Sequence, residues 1–313
     1  MACPVIRRQA WTTDTTRRRI LFAFPAAQEY LVGMKPIVVT LVLCAASLLL
    51  APAHAAAIEA DTAVPVVRLV GEAGFLGVID HRIRYSEDDP TFQYHKAGGQ
   101  DVLFPFARLS AELLFRNRHT IGFLYQPFEL ETRADLQPGF SVEGVSFEGD
   151  SLVSLYRFPF YRLSYLYQFI KTDRWRLDGG GSLQIRNATI EFRAQGTGGG
   201  GGPSGFYRSA GVGPVPLLKL RARYHLPQDF YLETEIDGIY APISYLNGSD
   251  NETVGALLDA SLRAGYRVSE SLEAFINLRY LGGGASNTNP ADYTVNWLNT
   301  YSVSLGTAVR LGD

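Results

Sequence analysis

Over residues 66–311 the chain alternates apolar and polar side chains with a period of two, the spacing of β-strands with one apolar face. The clearest case covers residues 217–237. There Leu218, Leu220, Ala222, Tyr224, Phe230, Leu232, Thr234 and Ile236 share one face, while Lys219, Arg221, Arg223, Glu233, Glu235 and Asp237 share the other. Pairing Leu226 with Phe230 around Pro227-Gln228-Asp229 sets Arg223 opposite Glu233, Arg221 opposite Glu235 and Lys219 opposite Asp237. A basic strand then faces an acidic one.

The same alternation predicts strands over 66–80, 103–115, 119–130, 151–170 and 175–192, the hairpin at about 211–244, and strands over 254–268, 272–282 and 294–311. In the first, Arg68, Glu72 and Asp80 fall on the polar face. Pro127 breaks the register of the third. Arg267 and Glu273 flank the turn Ser269-Glu270-Ser271 and are expected to face each other. No stretch of the mature part carries a convincing helical pattern.

Connections alternate as regularly as residues do. Those near 117, 172, 228 and 270 are three or four residues long, whereas 81–102, 131–150, 193–210, 242–253 and 284–294 are long and rich in Gly, Pro, Asn or Asp. This is the layout of an all-β protein, a transmembrane antiparallel up-and-down β-barrel of about ten strands, with eight or twelve the other even counts. Short turns then lie on the periplasmic side and long loops outside. An even count leaves no strand edge in lipid.

Alternation alone fits a secreted β-sandwich equally well. Four further features favour the barrel. The strands are longer than those of soluble sheets and long enough to cross a bilayer at a tilt. Aromatics gather beside the short turns (Phe115, Phe169, Trp175, Tyr224, Phe230, Tyr266) and again at the far ends (Tyr240, Tyr280, Trp297), as two interfacial girdles require. Gly and Ala recur at mid-strand on the apolar faces, and charges of both signs share the other face on neighbouring strands, where they can neutralise each other in a narrow lumen.

Ahead of this region, Met34-Lys35, the apolar run 37–50 and Ala53-His54-Ala55 read as a cleaved signal peptide over 34–55. Residues 1–33 are then a start-site artefact or an extended n-region, 56–65 an N-terminal periplasmic segment and 66–313 the barrel. Of the chain's 29 basic and 31 acidic residues, 23 and 29 remain after residue 55, a net charge near −6 that argues against nucleic acid. Cys3 and Cys44 both fall in the removed part, so no disulfide is expected.

The final segment places Ser304, Gly306, Val309 and Leu311 in the order polar, glycine, apolar, apolar, which resembles the C-terminal insertion signal of outer-membrane barrels. It carries Ser where a larger polar residue is usual and lacks a terminal aromatic. As a whole, residues 66–311 resemble small Gram-negative outer-membrane β-barrels. That resemblance implies the cell outer membrane as location, lipid and lipopolysaccharide as surroundings, and the outer-membrane assembly machinery as partner.

A barrel of this size is filled by its own side chains. The expected role is a lumen plugged by ion pairs and water, with surface loops that are structural or bind an external ligand. A narrow solute channel and a rim enzyme are the alternatives. Strand count resembles that of omptin-type proteases, which implies Asp and His at the outer rim; other barrels modify lipid A with His and Ser. Here Asp80, His81 and His95, with Asp88 and Asp89, cluster in or beside the first long loop as the only candidates for acid–base chemistry, without a family motif around them, and a solvated acidic loop outweighs catalysis. The acidic runs at 87–89 and 250–252 lack EF-hand spacing, and Gly198 to Gly202 lacks the Lys-Ser/Thr of a phosphate loop, so neither metal nor cofactor is expected.

Overall fold

A computed structural model describes residues 65–87, 91–196, 204–242, 253–287, 289 and 293–312. The signal peptide, everything ahead of it, the acidic run at 250–252 and the glycine run lie outside the described residues. What is described is strand, turn and loop, with no helix.

In chain order the strands are β1 (Val66–Arg84), β2 (Phe92–Gln93), β3 (Leu103–Phe115), β4 (His119–Gln126), β5 (Glu129–Asp135), β6 (Ser141–Val142), β7 (Val145–Ser146) and β8 (Ser151–Arg157). They continue as β9 (Phe160–Lys171), β10 (Trp175–Gln195), β11 (Phe206–His225), β12 (Phe230–Pro242), β13 (Thr253–Arg267), β14 (Leu272–Asn287) and β15 (Thr294–Leu311). Ten of them, β1, β3, β4 and β9 to β15, pair antiparallel in sequence order, and β15 pairs back onto β1 from Leu311↔Val67 to Val295↔Arg84. The sheet closes into a ten-stranded up-and-down barrel.

Side chains sort inside out relative to a soluble protein. Phe75, Leu109, Leu163, Leu218 and Leu305 are each more than half exposed on the outer wall, while Arg162, Glu233, Asp237 and Glu273 are each at most 2 % exposed inside. Such a surface is stable only against hydrocarbon. At the short-turn end the aromatics pair up: Trp175 with Tyr224 at 4.6 Å between ring centres and Phe230 with Tyr266 at 5.0 Å. The turns themselves rest on left-handed residues, Arg116 and Asn117 in one and Gln228 and Asp229 in another.

Three departures from the alternation shape the other end. A β-bulge between Val78 and Asp80 shifts the register of β1, so Asp80, expected on the inner face, turns out of the barrel and His81, expected in or beside the first long loop, turns into it. Next, the runs expected as continuous strands over 119–130 and 151–170 each break at a proline. Pro127 and Pro159 separate β4 from β5 and β8 from β9, and the β5–β8 hairpin continues beyond the barrel along the extended β10. Finally, the described part of the first long connection after residue 90 folds onto the wall: β2 adds to β1, and Tyr94 and Gln100 are fully buried, while Asp88 and Asp89 of the acidic run lie outside the described residues.

Candidate functional site

Two layers fill the barrel. The lower one, toward the short turns, is built by inward positions of β1, β3, β9 and β11 to β14. Its starting point is the hairpin β11–β12, where Lys219↔Asp237, Arg221↔Glu235 and Arg223↔Glu233 are cross-strand partners. Arg223 Nε donates to Glu233 at 2.6 Å, Arg221 Nε to Glu235 at 2.9 Å and Lys219 Nζ to Asp237 at 2.7 Å.

From these rungs an unbroken chain of alternating charge runs across the lumen. Arg263 holds Glu233 at 2.6 Å, Arg223 joins Glu233 to Glu273 at 2.9 Å, and Arg68 joins Glu273 at 3.1 Å to Glu112 at 3.3 Å. Glu112 also takes Arg221, which holds Glu235 at 2.9 Å; Lys219 bonds Glu235 at 3.2 Å and Asp237 at 2.7 Å. Arg162 then bridges Asp237 and Asp259, each at 2.8 Å, and Asp259 accepts from Arg279 at 2.5 Å. Seven cations and six carboxylates follow one another with no like-charged neighbours in contact along the chain. Because each carboxylate has at least two cationic partners, the desolvation cost of burial is met by charge-assisted hydrogen bonds.

A separate carboxylate secures the seam. Glu72 on β1 accepts from Arg108 on β3 at 3.1 Å, Asn277 on β14 at 2.8 Å and Ser304 on β15 at 2.8 Å, so one side chain ties together four strands around the closure.

Arg267 differs from its expected role. It stands opposite Glu273 in the register, yet its guanidinium lies at the rim and reaches Asp229 at 3.4 Å, while Glu273 is taken by Arg68, Arg223 and Arg310. Arg267 is the last residue of its strand, where the more exposed Asp229 of the adjacent turn is in reach.

Above the charged layer come two buried amides. Gln184 accepts from Arg162 Nη2 at 2.6 Å, and Gln126 accepts from Arg279. Phe160, fully buried, lies under both guanidinium groups, 5.5 Å from Arg162 and 5.9 Å from Arg279. Beyond it the filling is apolar. Leu76, Val78, Phe104, Phe128, Tyr156, Phe158 and Phe192 form a core of the kind found in soluble domains, contributed by the upper wall, the β5–β8 hairpin and the first loop.

His81 sits in that core. Its ring stacks flat on Tyr94 at 4.0 Å, meets Tyr156 edge-on at 4.4 Å, and hydrogen bonds through Nδ1 to Gln100 at 2.8 Å. Burial pushes the Tyr94 hydroxyl well above its ordinary range, keeping it neutral. Asp80 lies on the opposite face of β1 beside Arg82 at 3.7 Å, and His95 follows the buried Tyr94 in the loop. Asp80 and His81 are thus on opposite sides of the wall, with His81 packed away from solvent. Of the insertion-signal residues, Ser304 points inward to Glu72, Gly306 abuts Phe275, and Val309 and Leu311 face outward. Among the described residues no group of three or more His, Cys, Asp or Glu is placed to hold a metal ion.

The aromatic layer is what sequence reasoning missed. Its signal was the density of Phe beside proline, in Phe104-Pro105-Phe106 and Phe158-Pro159-Phe160, within and beside segments assigned to strands and solvated loops.

A closed ten-stranded antiparallel barrel with an apolar outer wall and an ionic interior defines the class: a β-barrel of the outer-membrane type. No family model matches the chain, and no curated protein matches it. Solved structures similar to it include the outer membrane protease OmpT of Escherichia coli, with TM-score 0.45 and 11 % identity over 81 % of this chain and 99 % of that one. The toluene transporter TodX of P. putida gives TM-score 0.33 and 8 % identity over 79 % and 90 %. Ail, the attachment invasion locus protein of Yersinia pestis, gives 0.31 and 8 % over 78 % and 99 %.

Proposed function

We propose that this protein is a sealed outer-membrane barrel that works through its outer end. It is exported by the signal at 34–55, assembled by machinery that reads Ser304, Gly306, Val309 and Leu311, and surrounded by outer-membrane lipid and lipopolysaccharide. Its lumen is a structural plug, and the outer end, built on the aromatic core, is the surface that meets an external ligand.

The observation that carries this reading is the charge chain from Arg263 to Arg279, whose members reach across the lumen in direct contact. A permeant ion would have to break ion pairs that are each nearly dry. The aromatic core above them is a second barrier. Catalysis is disfavoured by the burial of His81, which is 0 % exposed.

Purified protein in planar bilayers tests the reading. Silence at all applied voltages is the expected result; discrete conductance steps from the folded protein would replace the plug with a channel.

A further inference from the structure

The lower layer contains a cavity of about 30 Å³ between the β1–β3–β4–β9 wall and the charge chain. Its size suits one or two water molecules or a single monoatomic anion. Its lining is lopsided, with six cationic side chains against two carboxylates, Glu112 and Glu235. Three of the lining arginines, Arg68, Arg108 and Arg263, are each at least nine-tenths buried and leave Nε–H without an acceptor.

The imbalance is not confined to the cavity. Lumen ion pairs, with Arg310 at the mouth included, involve nine cations and seven carboxylates, and Arg176 with Asp178 adds one of each. Arg310 meets solvent at the mouth, so the buried network keeps one surplus positive charge and three orphaned guanidinium donors, and is short of negative charge. We propose that a halide ion, chloride in the cell, occupies this cavity as a structural counter-ion of the barrel. The surrounding Ser110, Thr120 and Ser164 offer hydroxyl donors to the same ion.

Gly122 gives a test that leaves every charge in place. It lines the cavity, and a Cβ there would meet only Glu112 Cγ at 3.8 Å and Ser164 Cβ at 3.9 Å, ordinary contacts, so Gly122→Ala folds while filling much of the space. Crystals of the barrel soaked in bromide are expected to show an anomalous peak among Arg68, Arg108 and Arg263, absent from Gly122→Ala. In parallel, the thermal midpoint of the wild type should be higher in chloride than in gluconate at equal ionic strength, and that of Gly122→Ala the same in both. Bromide found only on the surface, together with equal wild-type midpoints in the two salts, would overturn the proposal and assign the cavity to water.

Discussion

Asp237 and Asp259 stand directly opposite each other on adjacent strands, both facing into the barrel, and Arg162 reaches over from β9 to hold the two. Like charges in directly opposed positions repel, so the pairing is stable only while the guanidinium lies between them. Each carboxylate keeps a second cation, Asp237 through Lys219 and Asp259 through Arg279. Arg162→Met is therefore expected to cost about 3–5 kcal/mol, the range for breaking a buried pair, with the lower end favoured by the remaining partners. Urea unfolding followed by tryptophan fluorescence reads the loss. Adding Asp237→Asn should recover most of it, because the repulsion goes with the charge while Lys219 keeps Glu235 and Asp259 keeps Arg279; no recovery would mean that Arg162 acts through Gln184 instead.

The hairpin register and the inward direction of its charges were legible in the sequence, because period-two alternation fixes faces and a short turn fixes partners. The number of strands followed from the alternation of short and long connections. What could not be read was the upper half. A single bulge at Val78/Asp80 inverts the face of every later residue of β1, and period-two alternation carries no sign of it, so neither the outward Asp80 nor the inward His81 can be read from the pattern. The Asp237–Asp259 pairing needs the register across a long connection, 242–253, which no turn rule supplies. Loops rich in Pro and Phe bury themselves only when something apolar awaits them, and that partner is another loop.

Two stacked barriers make a distinct prediction about permeation. Replacing Glu112 and Arg221 together by Ala removes one charge of each sign from the middle of the chain and leaves the lumen balance unchanged. Alone, this variant should stay silent in planar bilayers, because Phe92 and Tyr94 of the first loop, packed on Tyr156 and Phe192, still close the outer half. Replacing residues 92–100 by a Gly-Ser linker, which removes Tyr94 and Gln100, should also be silent alone, since the charge chain is untouched. Only the combination is expected to conduct. Conductance from the linker variant by itself would show that the charged layer is no seal.

His81 separates packing from chemistry. Its ring is enclosed between Tyr94 and Tyr156, so His81→Ala should destabilise the outer half by about 2–5 kcal/mol, as other large-to-small core changes do. Diethyl pyrocarbonate labelling with mass spectrometry should modify the rim residue His119 in the folded protein and reach His81 only after unfolding. Rapid labelling of His81 in the folded state would reopen the catalytic reading of the first loop.

Gly306 lies where the resemblance to an insertion signal and the demands of packing coincide. A Cβ at this position would strike the Phe275 ring and come within 2.8 Å of the Gly71 carbonyl oxygen, and Phe275 is itself fixed, buried and stacked 4.1 Å from the Arg263 guanidinium. Overpacking of this kind costs about 1–3 kcal/mol. Gly306→Ala should thus lower the yield of the heat-modifiable folded form on gels, both in cells and when the purified chain refolds into detergent micelles. Phe275→Leu in the same chain removes the obstructing ring, leaving only the Gly71 carbonyl contact to a small backbone shift, and should restore much of both. If the double variant refolds normally in micelles but still fails to assemble in cells, the glycine is read by the assembly machinery; if both recover together, the glycine is present because Phe275 needs the space.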